Sequence, residues 1–275
     1  MYKGEFVRNF TRDMYHGWVK MKAIEAEGLH FGVNGYKILK GIDIDIDDGE
    51  FISILGPNGA GKTTLIKVLL GLYRGDDGDV YIFGKRLKSY RKKDLAKIVS
   101  FLPQSPSMDI PFQVRDIVMM GRAPYIKRFE FESRRDREAA EYAMELLNIS
   151  HLASRHLVEL SGGEVKRVFI AQALAQESRI LFLDEPTANL DIKYQVEIFN
   201  ILKNFNEKLK KTVVLITHDI NHAARFAREI MLMKDGKILK RGSPSSVINE
   251  NIIKETFGIN VEVKIDELGK PYILI

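Results

Sequence analysis

The run Gly56-Pro57-Asn58-Gly59-Ala60-Gly61-Lys62-Thr63-Thr64 leaves a folding chain little choice. Glycines at 56, 59 and 61 let consecutive backbone N–H groups converge on one anion, an arrangement that needs a strand feeding the loop and a helix leaving it. Both are written in the flanks. Phe51 to Leu55 is a short apolar run suited to a buried strand, and Leu65, Ile66, Val68, Leu69 and Leu70 predict a helix closed by Gly71. Lys62 can reach the terminal phosphates of a nucleotide, and the Thr63 hydroxyl can hold magnesium. The expected fold is therefore α/β, built around a phosphate-binding loop.

Other segments extend this reading. Residues 42–46 alternate apolar side chains with aspartates, the period of a half-exposed strand, and Asp47-Asp48-Gly49 then turns the chain. Further strands are expected at 80–83, 98–102, 180–183, 213–217 and 230–233, mostly unbroken apolar runs that suit a sheet covered on both faces. Residues 104–160 are expected to be mainly helical, with Ala139, Tyr142, Ala143, Leu146 and Leu147 on one face. From residue 244 a Pro-Ser-Ser turn leads through a short helix to strand-like Val261, Val263, Ile265 and 272–275.

Composition narrows the chemistry. The absence of cysteine removes disulfides, thiolate catalysis and sulfur-ligated metals. A net charge of +5 suits a nucleic acid and an acidic membrane surface equally. The clusters Lys85-Arg86-Lys88 and Arg91-Lys92-Lys93 alternate little with aromatic residues, so they are read as a solvated face and no nucleic-acid partner is expected. No stretch approaches the roughly 20 apolar residues of a membrane span. Residues 1–22 carry Arg8, Arg12 and Lys20 without an apolar core, so no secretion signal is expected and the cytoplasm is the default location. With Phe6, Phe10, Tyr15 and Trp18 between charges, they form either an amphipathic extension or a disordered tail.

Three more places carry chemistry. The apolar run 180–183 ends in Asp184-Glu185. Such a pair is often a strand turning into solvent, but beside a phosphate loop Asp184 can face magnesium while Glu185 faces a water aimed at the outer phosphate. Ser161-Gly162-Gly163-Glu164 fits a capping box, which explains Ser161 and Glu164, and equally a phosphate contact, which explains the two glycines. His218, Gln104 and Asp191 taken singly are a surface imidazole, a loop amide and a helix-capping acid.

Together these segments identify a family. Leu160-Ser161-Gly162-Gly163-Glu164 resembles the signature of the ATP-binding-cassette (ABC) ATPases, ahead of the Asp184-Glu185 strand as in that family. Phe101-Leu102-Pro103-Gln104 resembles its glutamine loop, Ala188-Asn189-Leu190-Asp191 its dimer-interface loop, and Thr217-His218-Asp219 its switch histidine. The resemblance implies a P-loop NTPase (RecA-like) sheet core with an inserted helical subdomain and an antiparallel β edge. It divides the chain into an extension at 1–22, a nucleotide-binding core at 23–103 and 161–243, a helical subdomain at 104–160 and a tail at 244–275. It implies ATP and Mg2+ as ligands, with Gly56, Pro57, Asn58, Gly59, Ala60, Gly61, Lys62, Thr63 and Thr64 on the nucleotide. Ser161, Gly162, Gly163 and Asp191 meet it across a twofold homodimer. Thr63, Gln104 and Asp184 become the magnesium residues, and Glu185, His218, Gln104 and Lys62 the catalytic ones, Glu185 as general base.

Departures accompany the resemblance. Val33 stands where relatives place an adenine-stacking aromatic, with Tyr36 displaced by three positions, and Lys166 and Gln172 stand where glutamine and arginine are common. Residues 114–125, including Gly121-Arg122-Ala123-Pro124, are similar to the helical-subdomain stretch of subunits serving iron-siderophore, haem and cobalamin importers. Residues 217–227 and Phe257-Gly258-Ile259-Asn260, with Gly269-Lys270-Pro271, are similar to the same group. The expectation is the ATPase subunit of such an importer, held at the cytoplasmic face of the cell membrane by two permease subunits and served by an external solute-binding protein. Arg122, Lys127, Arg128, Arg134 and Arg135 are candidates for docking the permease. The alternatives are a zinc/manganese, molybdate or phosphate importer, or a soluble non-transport cassette ATPase that couples ATP to assembly.

Overall fold

Apolar runs with no polar face must be covered on both sides, and five of them align into the centre of the molecule. A computed structural model describes residues 21–104, 111–188 and 190–275. The strands are β1 (Lys22–Val33), β2 (Tyr36–Asp47), β3 (Phe51–Leu55), β4 (Asp77–Ile82), β5 (Lys85–Arg86), β6 (Val99–Leu102), β7 (Ile180–Asp184), β8 (Thr212–Ile216), β9 (Glu229–Lys234), β10 (Lys237–Gly242), β11 (Glu262–Ile265) and β12 (Pro271–Leu274). The main helices are α1 (Lys62–Leu69), α2 (Val114–Met120), α3 (Arg134–Leu146), α4 (Gly162–Ala175), α5 (Ile192–Leu209), α6 (Ile220–Phe226) and α7 (Glu250–Phe257). The expected extension at 1–22 lies almost wholly outside the described residues.

The central sheet has the order β10-β9-β3-β8-β7-β6, parallel except for the edge strand β10. Every residue of β3, β7 and β8 is buried. Alternation along these strands splits the core: Ile52, Ile54, Ile180 and Phe182 join the layer shared with α1, and Phe51, Leu55, Leu181 and Leu183 join the layer shared with the remaining helices. All the parallel strands end on one side of the sheet, where ligands of open α/β sheets bind.

A second, antiparallel sheet runs β2-β1-β4-β5. The 80–83 run belongs here rather than to the parallel sheet. β1 is longer than any strand the pattern suggested, and its signal is broken by a bulge: the pairing with β2 shifts between Ala26 and Leu29, around Gly28 at φ +57°. β10 escaped the pattern for the same reason, a register shift between Ile238 and Lys240 on a solvent edge.

α2, α3 and α4 pack together as a helical layer. α3 opens on a capping box between Ser133 and Asp136, and its buried stripe is Asp136, Ala139, Ala140, Ala143 and Met144. Tyr142, placed on that stripe by the sequence reading, is 47% exposed, because with Glu141 it lies on the opposite side of the helix from the buried pairs Ala139-Ala140 and Ala143-Met144. Arg122 is also corrected: it is 1% exposed and cannot dock a partner. Its Nε donates to Asp136 Oδ1 at 3.0 Å and its Nη1 to Ala175 O at 2.7 Å and Glu177 Oε2 at 2.8 Å, with the Tyr125 ring 4.1 Å below the guanidinium. These bonds tie α3 to the end of α4.

Next to it, a Cβ on Gly121 would lie 2.2 Å from the Gln172 carbonyl oxygen, so only glycine lets α2 approach α4. Gly121→Ala is expected to destabilise the fold by about 1–3 kcal/mol, as overpacking does. Denaturant titration checks this, and an unchanged midpoint would mean that α2 and α4 separate freely. Among the described residues no helix is long and apolar enough to cross a membrane.

Candidate functional site

β3 delivers the chain into the glycine loop, and three backbone angles shape it. Gly56, Gly59 and Gly61 lie at φ +152°, +79° and +97°. At Gly56 a Cβ would stand 2.1 Å from the Met233 carbonyl oxygen, so strand β9 excludes any larger residue there. Lys62, 6% exposed, turns back into the loop and donates to the carbonyls of Gly56 at 2.8 Å and Pro57 at 2.9 Å. Burial pushes the Lys62 ammonium below its ordinary range, while Glu185 and Asp184 pull it back. Pro57, Asn58 and Ala60 complete the loop, Ala60 buried and Asn58 exposed, and Thr64 follows on α1.

The second wall is the end of β7. Thr63 Oγ1 donates to Asp184 Oδ2 at 2.6 Å, joining the loop to that strand. Asp184 is 1% exposed and its Oδ1 has no hydrogen-bond partner. Burial raises its pKa, the Thr63 bond opposes the rise and the Glu185 charge adds to it. A buried carboxylate oxygen without a partner, beside a hydroxyl and a phosphate loop, is the hard-oxygen donor set that magnesium takes when substrate phosphates supply the rest. Among the described residues no cluster of three or more His, Asp or Glu could hold a metal unaided.

Glu185 follows in the left-handed region at φ +50°, and its carboxylate takes different partners from that of Asp184. Two strand ends converge on it. Gln104, after β6, donates its Nε2 to Glu185 Oε2 at 2.8 Å, and His218, after β8, meets Oε1 through Nε2. His218 is held from the far side, since Asp219 caps α6 through the His222 amide at 2.7 Å. Asn221 on α6 exchanges two hydrogen bonds with the Ile273 backbone, at 3.2 and 2.8 Å, and so ties the tail hairpin to the same helix.

Lys62, Thr63, Gln104, Asp184, Glu185 and His218 thus form one cluster across four strand ends. Ser161, Gly162 and Gly163 are not part of it within a single chain. Among the described residues no hydrogen bond joins them to loop 56–64, and Ser161 and Gly162 are exposed at the start of α4. Ser161 and Glu164 form the capping box, with Ser161 N and Oγ each 2.8 Å from Glu164 Oε2, which holds that carboxyl below its usual range. The cap leaves Gly162 free, since a Cβ there would meet nothing within 4 Å, whereas a Cβ on Gly163 would lie 3.3 Å from Leu190. Asp191 occupies the N-cap position of α5 but its side chain caps nothing and is exposed, so helix capping does not account for it.

Two features escaped the sequence reading. Phe31 stacks on Tyr73 with centroids 5.3 Å apart, while Val33 and Tyr36 pair at the exposed tip of the β1–β2 hairpin. Lys166, noted only as a departure, donates its Nζ to the Gln104 carbonyl at 2.7 Å.

Comparison with known proteins identifies the family. A family model described as "ABC transporter" matches residues 39–188. The iron(3+)-hydroxamate import ATP-binding protein FhuC of Bacillus subtilis is 35% identical over 92% of this chain and 95% of its own. The hemin import ATP-binding protein HmuV of Gloeobacter violaceus is 37% identical, over 91% of this chain and 93% of its own. Among solved structures, a metal-chelate type ABC transporter in an inward-facing conformation superposes with a TM-score of 0.78 at 28% identity, covering 92% of this chain and 96% of that one. A dimeric ATP-binding cassette bound to ADP and Pi gives 0.71 at 30% identity, over 80% and 98%.

Proposed function

From a chain that belongs to the ABC transporter family and binds and hydrolyses ATP, we propose the energising subunit of an importer for a chelated metal, of the siderophore or haem type. The observation that carries this reading is the convergence of Lys62, Thr63, Gln104, Asp184, Glu185 and His218 at the ends of β3, β6, β7 and β8. Relatives that match along nine-tenths of the chain serve such importers.

In this mechanism residues 23–103 and 161–243 form the nucleotide-binding core, 104–160 the helical subdomain and 244–275 the tail. The amides of 56–64 and the Lys62 ammonium cradle the phosphates of ATP. Thr63, Asp184 and Gln104 would hold Mg2+, which when bound neutralises charge on the outer phosphates. Glu185 takes the proton of the attacking water, and Gln104 and His218 keep its two oxygens oriented. Ser161, Gly162 and Gly163 of a second copy close over the same nucleotide, with Asp191 at the seam, which accounts for the exposure of Ser161 and Gly162 in one chain. Closure completes the phosphate donors and excludes water, so turnover belongs to the dimer. The work is passed to a permease pair at the membrane, fed by an external solute-binding protein.

The test is uptake. Proteoliposomes holding this chain with its permease, and supplied with the solute-binding protein, should accumulate an iron-hydroxamate, haem or cobalamin only with ATP inside. Uptake of zinc, manganese, molybdate or phosphate instead would reassign the solute. ATP turnover by a chain that binds no permease would favour the soluble assembly role.

A further inference from the structure

Lys166 lies on α4, five residues beyond Ser161, and only 7% of it is exposed. Burying an ammonium is expensive, and an apolar side chain would fill the same space at less cost unless the charge or its hydrogen bonds were used. Its Nζ donates to the Gln104 carbonyl at 2.7 Å, and its charge faces Asp184 and Glu185. Lys166, from the helix that begins at Ser161, is thus a second buried cation at the site beside Lys62 of the phosphate loop, and both bond backbone carbonyls of loops that carry site residues. Burial pushes the Lys166 ammonium below its usual range, and the two carboxylates counter that shift.

The bonds form a path. Lys166 Nζ holds the Gln104 backbone, and the Gln104 side chain donates to Glu185 Oε2 at 2.8 Å. Ser161 and Lys166 are separated by only about 7.5 Å of helix axis. α4 also packs on α2 and α3, so a displacement of the helical layer reaches Gln104 through Lys166. A glutamine at this position would be shorter and uncharged, so it could provide neither the same reach nor the second cation.

We infer that Lys166 is a positioning residue for hydrolysis, coupling the Ser161 helix to Glu185 through Gln104. The inference rests on Glu185 being the general base. Lys166 touches neither water nor phosphate in this scheme and acts by fixing the register of the glutamine loop against Glu185.

Steady-state ATP hydrolysis by the full chain tests it. Lys166→Met should lower kcat about 10- to 100-fold, the penalty for misplacing a catalytic group by an ångström or so. ATP Kd, measured by titration in an E185Q background, should stay within about threefold, since the loss is confined to the transition state. Lys166→Arg, which keeps charge and donor, should restore most of kcat. The decisive readout is a double-mutant cycle: K166M/Q104A should be no slower than Q104A alone, because both changes break one path. Native kcat in K166M, losses that multiply in the double variant, or ATP affinity that falls in step with kcat would each overturn the inference. An E185Q chain that hydrolyses ATP normally would instead overturn the reading beneath it, so the two failures are distinguishable.

Discussion

Glu185→Gln should bind ATP as tightly as the native chain and hydrolyse it about 10²- to 10⁴-fold more slowly, the range lost with a general base. The substitution is nearly isosteric and leaves the fold alone, because glutamine and glutamate bear the φ of +50° at this position equally. It changes the proton acceptor. Gln104 Nε2 and His218 Nε2 meet the two carboxylate oxygens. A glutamine keeps an acceptor oxygen for Gln104 Nε2 and offers an N–H₂ to His218 Nε2, which accepts it in the tautomer protonated at Nδ1, so both orienting contacts can persist while the base is lost. In the proposed mechanism two copies closed on ATP reopen by hydrolysing it, so the variant should accumulate as a dimer when ATP is added. Single-turnover kinetics and sedimentation read the two effects separately. Native turnover would remove Glu185 as the base, and slow turnover with no dimer would remove closure as the step that hydrolysis reverses.

The legible parts of the fold and site were those whose chemistry is local. Loop 56–64 needs contiguous glycines between a strand and a helix, and β3 and α1 sit where the flanking runs place them. Buried parallel strands were visible as unbroken apolar runs, but Gln104, Glu185 and His218 were grouped only through the family resemblance, and the fold supplies the reason, since each follows the end of a parallel strand. What stayed hidden depends on contacts that no period encodes. β1 loses its alternation at the Gly28 bulge. Arg122 looks like a surface charge, and its burial follows only from Asp136 and Glu177, 14 and 55 residues away. The Lys166 bond to Gln104 spans 62 residues and crosses from the helical layer to a strand end. Sequence marked Lys166 as unusual, and only the fold shows what it reaches.

Lys62→Ala should weaken ATP binding by about 2–5 kcal/mol, the cost of truncating one partner of a buried charge pair. That corresponds to about 30- to 5,000-fold in Kd. Lys62 is the one cation inside the loop, and its ammonium bridges the Gly56 and Pro57 carbonyls, so it holds the cradle in shape and supplies its charge. Removing it leaves the phosphates facing amides alone. Stability should move less than affinity. The variant loses two hydrogen bonds, but it also sheds a cation whose burial disfavours the charged form. Arginine should not rescue, because its planar fork is wider than an ammonium and the loop is pressed on β9 at Gly56, where even a methyl would meet the Met233 carbonyl. Calorimetric titration with AMP, ADP and ATP separates charge from shape. A contact to the terminal phosphates predicts a loss that grows from AMP to ATP. Equal losses for all three would place the effect in a collapsed loop, and undiminished ATP affinity would take Lys62 out of phosphate binding altogether.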